Sequence, residues 1–191
     1  DKNVGTGKTV TITPSYTGAD VSNYSVTDHS TITADIAVKA LTATASASNK
    51  TYDGTTTATT TLTFSGLVGS ETLGQTVGST FNNKNVGTGK TVTVNSITLA
   101  DGTGLAANYS ISPGQTTTAD ITAKSLTVSG ITASNKTYDA TTTATLNTGS
   151  VTYTGLVSGD VFNGTYTGAF SDKNVGTGKT VTITPSYTGA D

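Results

Sequence analysis

The chain has 191 residues, a formal net charge of −2 and an apolar content of one third, with no Cys, no Met and no Trp. All ten of its basic residues are lysines, evenly spread. This balance excludes a disulfide scaffold, a thiolate metal site and a basic patch for nucleic acid or anionic lipid.

Thr supplies 47 residues, and Gly, Ser, Val and Asn are abundant. Thr and Val are stiff at Cβ and favour strands, while Gly and Asn supply turns. Helix formers are scarce, with Glu71 the single glutamate. The composition predicts an all-β chain. Apolar residues fall in alternating patterns and there are three prolines, which argues against disorder. The expected core is thin and largely aliphatic, with some buried Thr. No apolar run approaches the ~18 residues of a membrane helix, so no membrane insertion is expected in this segment. With no Met, residue 1 is not a native start, and the chain reads as a stretch of a longer protein. A cysteine-free chain suits large secreted bacterial proteins, where a stray thiol risks mispairing during export.

Repeats organise the chain. Residues 1–20, DKNVGTGKTVTITPSYTGAD, recur without change at 172–191, and a diverged copy, NKNVGTGKTVTVNSITLADG, lies at 83–102. SNKTYDG at 48–54 returns as SNKTYDA at 134–140, and NYS followed by TTADITAK (108–124) matches NYSV followed by TITADIAVK (23–39). The motif order sets a frame. Residues 1–39 form the C-terminal half of a module, 40–124 a complete module of about 85 residues, and 125–191 the N-terminal part of the next. Residue 192 is expected to resume like Val21.

In chain order, the complete module opens on a strand in which Leu41, Ala43 and Ala45 alternate with Thr42 and Thr44. A second strand, 56–64, follows the Tyr-Asp-Gly turn. Residues 66–73 are expected to form at most one helical turn, and 76–81 a third strand. In the fourth, 90–99, Val92 and Val94 share a face while Ile97 and Leu99 are out of phase, which predicts a bulge or bend. Tyr109 with Ile111, and Ala119 with Ile121 and Ala123, complete six strands. Such alternation with turn clusters between is the pattern of a small β-sandwich or partly open barrel. At the module boundary only Lys124 and Ser125 separate two predicted strands, too short a link for free hinging. The expected architecture is a rod-like array of tandem β-sandwich-like modules.

The segments KTYDGTTTAT (50–59), FNNKNVGTGKTV (81–92), NYS (108–110) and TADITAK (118–124) together resemble the YDG-type repeat of large bacterial surface proteins and filamentous-haemagglutinin-like secreted adhesins. The resemblance covers three module copies. It implies an extracellular stalk or spacer at the bacterial cell surface, serving adhesion, biofilm or matrix formation, and carries over no catalytic residue. Ala140, in place of the turn glycine, argues against a strict need for positive φ there.

Several motifs invite a chemical reading. VGTGKT, at 4–9, 86–91 and 175–180, imitates a phosphate-binding loop, but the first glycine of that motif is replaced by Lys2, Lys84 or Lys173 and a strand, not a helix, follows. A tight glycine turn opening a strand, with no bound anion, is expected. Tyr52–Asp53 and Tyr138–Asp139 read as Asx turns capped by an aromatic ring that covers the module's end, rather than as dyads. His29, the only histidine, reads as a loop residue. Carboxylates lack calcium-loop spacing, leaving Asp35 or Asp120 with neighbouring carbonyls as the candidates for a weak Ca²⁺ site. Recurring Lys and Asn allow an isopeptide cross-link in principle, although most lysines fall in polar turns. Sequons at Asn23, Asn49, Asn108, Asn135 and Asn163 follow from composition.

No catalytic, cofactor-binding or metal-binding residue is assigned, and no enzyme activity or cofactor is expected. The reading is a structural spacer whose partners are neighbouring modules of the same array. Two rivals remain: a self-assembling fibre whose modules join other copies head to tail or laterally through strand edges, and a glycan-, ice- or surface-binding module using flat Thr arrays such as 55–61. A regular Thr ladder on one exposed face would favour the last.

Overall fold

The computed structural model describes residues 1–189. The fold is all-β. β1 (Gly5–Thr11) and β2 (Thr31–Ile36) are followed by β3 (Lys39–Ala40), β4 (Thr42–Ala47), β5 (Lys50–Thr51), β6 (Thr57–Ala58) and β7 (Thr60–Ser65). Next come β8 (Leu73–Phe81), β9 (Gly87–Asp101), β10 (Tyr109–Ser110) and β11 (Thr116–Thr122). The rest are β12 (Thr127–Ser129), β13 (Thr132–Ala133), β14 (Thr143–Ala144), β15 (Leu146–Asn147), β16 (Thr152–Thr154), β17 (Phe162–Phe170) and β18 (Val181–Gly189). One sheet has five strands in the order β5-β11-β9-β8-β6, and one has three, β14-β17-β18. The pairs β1-β2, β10-β3, β4-β7, β12-β16 and β13-β15 make two-stranded sheets. Among the described residues the sheets are small and none closes into a barrel, as expected of sandwich-like modules.

Two compact units divide the chain. The first gathers Asp1–Ala47, Ala58–Thr80 and Val92–Thr117, and the second Ser48–Thr57, Phe81–Thr91 and the chain from Thr118 onward. In the first unit Leu41, Ala58, Leu62, Val92, Val94 and Tyr109 are buried; in the second, Phe81, Ala119, Ile121 and Ala144. The core is thin and aliphatic as expected, but its buried hydroxyl belongs to Ser79 rather than to Thr. Ser79 Oγ donates to the Ala58 carbonyl at 2.9 Å and shares a 2.8 Å hydrogen bond with the half-buried Thr60, so its burial is satisfied.

Two expectations are corrected and one is met. The strand at 56–64 is two strands. It changes sheets at Thr59, β6 joining the five-stranded sheet and β7 pairing with β4. The alternation keeps its phase through the switch, with Ala58 and Leu62 buried and Thr57, Thr59, Thr61 and Thr63 exposed. Residues 66–73 hold one hydrogen-bonded turn and no helix, within the expected limit. Glu71 N–H bonds the Val68 carbonyl at 3.1 Å, and β8 starts at Leu73. The short 3₁₀ turns lie at Val21–Asn23 and Ala106–Asn108, just before each Tyr-Ser of the NYS motif. At the boundary, β11 and β12 are separated by four residues, 123–126, rather than two. As for the out-of-phase strand, β9 runs unbroken for 15 residues, but its burial phase slips at Asn95 and Ser96, two consecutive exposed residues. Gly78 permits this passage, since a Cβ there would meet Ser96 Oγ at 2.5 Å.

The three copies of the VGTGKTVT segment adopt different strands. β1 covers the positions equivalent to 87–93, beside β2. β18 covers those equivalent to 92–100, beside β17 in a nine-residue register from Phe170↔Val181 to Phe162↔Gly189. β9 has both neighbours, β11 and β8, and spans both stretches. Burial follows the neighbours. Val92 is 0% exposed, whereas its equivalent Val10 is 42% exposed; Ile121 is 1% exposed and its equivalent Ile36 is 38%.

Equivalent residues should therefore respond unequally to truncation. Ile121→Ala is expected to destabilise by about 2–5 kcal/mol, and Ile36→Ala by under about 1 kcal/mol. Denaturant titration of the two variants checks this, and equal losses would contradict the burial difference.

Candidate functional site

The sequence positions that recur also form the densest polar contacts. In the KTYDG loop, Asp53 Oδ1 accepts from Thr55 N–H and from Lys50 Nζ, both at 2.8 Å. Lys50 also donates to the Thr55 carbonyl at 2.8 Å and lies 5.6 Å from the centroid of Phe81. The loop at 136–141 repeats this. Lys136 Nζ reaches Asp139 Oδ1 and the Thr141 carbonyl at 2.8 Å, with Phe170 5.5 Å below. The lysine thus binds an Asx turn on one side and an aromatic face on the other. The Lys50 ammonium, then the Thr55 N–H, hold the Asp53 carboxyl down at about 2, and Lys136 with Thr141 does the same for Asp139. The Asx-turn expectation holds.

Positive φ is retained at the turn. Gly54 has φ +79° and Ala140 has φ +63°, so the alanine occupies the left-handed region instead of releasing it. That corrects the inference from Ala140, and such a conformation costs an alanine roughly 1–2 kcal/mol. At Gly54 a second constraint acts, because a Cβ would lie 2.9 Å from Val157 Cγ1. Tyr52 lines a cleft of about 560 Å³ together with Leu126, Leu156 and Val157 of the following repeat. Its equivalent Tyr138 is 57% exposed.

In the first two copies the GTGK segment opens a strand rather than forming a tight turn, whereas residues 176–179 of the third copy lie outside any strand, ahead of β18. Between Gly5 and Lys8 the register of β1 against β2 shifts, with Gly7 at φ +60°. The freed Gly7 N–H donates to Asp35 Oδ1 at 2.7 Å, and Gly89 N–H donates to Asp120 Oδ1 at 2.8 Å. The glycine amide that imitates an anion-binding loop is occupied by a carboxylate of the same chain. Asp120 also has its own N–H bonded to Asn49 Oδ1 at 2.7 Å. Asp35 and Asp120, the calcium candidates, are thus bulge caps, and among the described residues no group of three metal-ligating side chains assembles. Each loop is closed by its lysine: Lys8 on Asp1, Lys179 on Asp172, and Lys90 Nζ on Asn83 Oδ1 at 2.6 Å. The Lys-Asn pair stands in an exposed loop where the other copies place an ion pair, so it is a loop tie and lacks the burial that an isopeptide bond needs.

Contacts between successive repeats recur too, which sequence reasoning missed. Lys2 Nζ bonds Glu71 Oε1 at 2.9 Å, and its equivalent Lys84 lies 3.9 Å from Asp160, the residue matching Glu71. Tyr109 Oη donates to Glu71 Oε2 at 2.5 Å, which lowers the Glu71 pKa, with Lys2 adding to the effect. Val4 N–H donates to Asn108 Oδ1 at 2.9 Å, while Asn108 Nδ2 donates to Asn3 Oδ1 at 3.0 Å. The signal was present in the motif positions: Lys2 and Lys84 both precede Asn-Val-Gly-Thr-Gly-Lys, and Glu71 and Asp160 both stand three residues after Gly-Leu-Val. Of the sequons, Asn49 and Asn108 carry these structural bonds; Asn23, Asn135 and Asn163 are exposed. His29 is an exposed loop residue.

The Thr run at 55–61 is divided by the sheet switch and forms no single ladder. Ladders arise elsewhere. On β4-β7 the exposed face pairs Thr42↔Ser65, Thr44↔Thr63 and Ser46↔Thr61. On β17-β18 it pairs Asn163↔Thr188, Thr165↔Ser186 and Thr167↔Thr184.

A family model described as YDG domain matches residues 37–119 and 122–191. No curated protein and no solved structure matches the chain.

The KTYDG loop gives a pH prediction. A free Asp titrates near 3.9. Asp53 and Asp139 are depressed in the fold, so the stabilisation they lend is fully present above pH ~4 and lost as pH falls towards about 2. Lys50→Met is expected to raise the Asp53 midpoint towards ~3.9 while leaving Asp139 near about 2. Carboxyl-carbon NMR titration reads both, and an unmoved Asp53 would remove the lysine from its role.

Proposed function

Because this chain belongs to the YDG domain family, and because the same inter-repeat contact recurs at two successive boundaries, we propose that it is a structural spacer. In this reading it is part of the stalk of a secreted or cell-surface bacterial adhesin or matrix protein. The carrying observation is the pairing of Lys2 with Glu71 and of Lys84 with Asp160. A partly exposed ion pair contributes little by itself. Its repetition matters because it specifies one geometry per boundary. Gly54 against Val157, the lining of Tyr52 by Leu126 and Leu156, and the four-residue link at 123–126 add apolar contact and short tether at the second boundary. A spacer needs such boundaries and needs no reactive centre. Its partners are neighbouring repeats, its place is outside the cell, and its array is rod-like.

The test is dimensional. In chains of increasing repeat number, the maximum dimension from small-angle X-ray scattering is expected to grow linearly. Inserting a flexible Gly-Ser segment between Lys124 and Ser125 should break that growth. A native series that grows as the square root of repeat number would refute a stiff spacer.

A second reading has an observation of its own. The hydroxyl ladders on β4-β7 and β17-β18 present paired Thr and Ser columns on exposed faces, the arrangement a flat glycan or crystalline surface would meet. Cosedimentation with insoluble polysaccharide, and ice-recrystallisation assays, should then respond to Thr165→Lys with Thr184→Lys. Retention of the native chain by none of these surfaces would dismiss this reading.

A further inference from the structure

The sheet switch at Thr59 leaves one strand half covered. β6 lends two residues, Thr57 and Ala58, to the edge of the nine-residue β8 before the chain crosses to β4. The second unit repeats this. β14 pairs Thr143 and Ala144 with Ala169 and Gly168, and β15 then joins β13. Among the described residues no strand lies outside Phe162–Thr167 of β17. The two copies are flanked differently, β8 by the repeat that follows it and β17 by the repeat that precedes it. Both edges are open, so the opening comes from the switch.

Backbone groups of alternate residues face the edge. Phe81 N–H bonds the Thr56 carbonyl and Phe170 N–H the Thr142 carbonyl, both at 2.7 Å. By that alternation Leu73, Gln75 and Val77 face outward in β8, and Phe162, Gly164 and Tyr166 in β17. Thr165 and Thr167 face β18 instead. Edges of this length are ordinarily blunted by Lys, Pro or a bulge. LGQTVGSTF and FNGTYTGAF contain no charge and no Pro, and β17 runs against β18 without a register shift.

We propose that the outer edge of β17 pairs antiparallel with the same edge of a second copy of the chain, about a two-fold axis at Gly164. This inference stands apart from the spacer reading, because it concerns what lies beside a repeat and leaves the joining of successive repeats untouched. The strand's own sequence identifies the occupant. In this register Phe162 lies opposite the second copy's Tyr166, Gly164 opposite Gly164, and Asn163 opposite Thr165. The aromatic pairs fall on the half-buried face of β17 and the polar pairs on its exposed face. No like charges meet, and the glycines at the axis let the two backbones approach. The outward N–H and C=O groups of three residues in each copy find partners, so the pairing satisfies the whole open stretch. Main-chain bonds supply affinity in such strand addition, and cross-strand side chains supply specificity. A patch that pairs with itself closes as a dimer. β8 offers the same alternation, with Leu73 opposite Val77 and Gln75 at the axis.

The 191-residue chain is to be followed by sedimentation velocity over a concentration series, with amide hydrogen exchange by NMR on the same samples. Association is expected to rise with concentration. The Gly164 and Tyr166 amides should gain protection as it does, while the Thr165 amide, already turned to β18, should not. Register is tested by charge. Asn163→Asp with Thr165→Asp sets carboxylates opposite one another across the axis, and Asn163→Lys with Thr165→Lys does the same with ammonium groups. Both positions lie on the exposed face, so the fold is expected to survive, and the amide spectrum away from β17 reads this on the same samples. Each double variant should pair at this edge about tenfold more weakly than the native chain. An equimolar mixture of the two should recover protection at Gly164 and Tyr166. A native chain that stays monomeric up to its solubility limit would overturn the proposal. So would an assembly that leaves the Gly164 and Tyr166 amides unprotected, or a mixture that protects them no better than either variant alone.

Discussion

The pairing of a Thr-Ala-Asp-Ile strand with a bulged Gly-Thr-Gly-Lys strand is the interaction on which the repeat depends. The bulge places a glycine in the left-handed region and turns its N–H out of the ladder. Gly7 and Gly89 show this conformation at φ +60° and +59°. An N–H left without an acceptor inside a sheet is costly, and the carboxylates of Asp35 and Asp120 supply the acceptor. The aspartate therefore fixes the register of the strand that carries it. Register in turn decides which side chains enter the core, because a slip of one residue inverts every side chain. With Asp120 on Gly89, Ala119 and Ile121 face inward and Thr118 and Thr122 do not.

The KTYDG loop is the second fixed point and works by a different balance. Lys50 is held by a carboxylate, a carbonyl and a ring face at once, and Lys136 repeats the set. A surface ion pair alone contributes little; the Asx turn and the aromatic face make this one a loop anchor. The same loop carries Tyr52 and Gly54, whose surroundings are Leu126, Leu156 and Val157. Fold stability and contact with the next repeat thus share one short segment.

Much of this was legible in the sequence. The all-β class followed from Thr, Val and Gly content, and the Asx turns at Asp53 and Asp139 from a short acidic side chain ahead of a turn residue. The phase change between Val94 and Ile97 was visible as broken alternation and recurs as the slip at Asn95 and Ser96. The sheet switch at Thr59 was not legible, because Thr suits either strand and nothing punctuates the run. The bulge at GTGK was read as a turn, since glycine spacing alone does not reveal a neighbouring strand. Nor could Ala140 announce its positive φ, a conformation its surroundings impose.

The sequence by itself determined the repeat order, the strand-forming composition and the polar residues that end each strand, because these depend on local sterics and on side chains that bond nearby backbone. Tertiary structure alone decided where each strand begins and which copy is buried. Residues 1–20 and 172–191 are identical, yet β1 covers the first part of the motif and β18 the second. Val10 is 42% exposed while Val92, in the same motif, is 0% exposed. A strand forms where a neighbouring backbone offers it donors and acceptors, and a side chain is buried where other strands cover it. Neither neighbour is encoded in the residues of the segment itself.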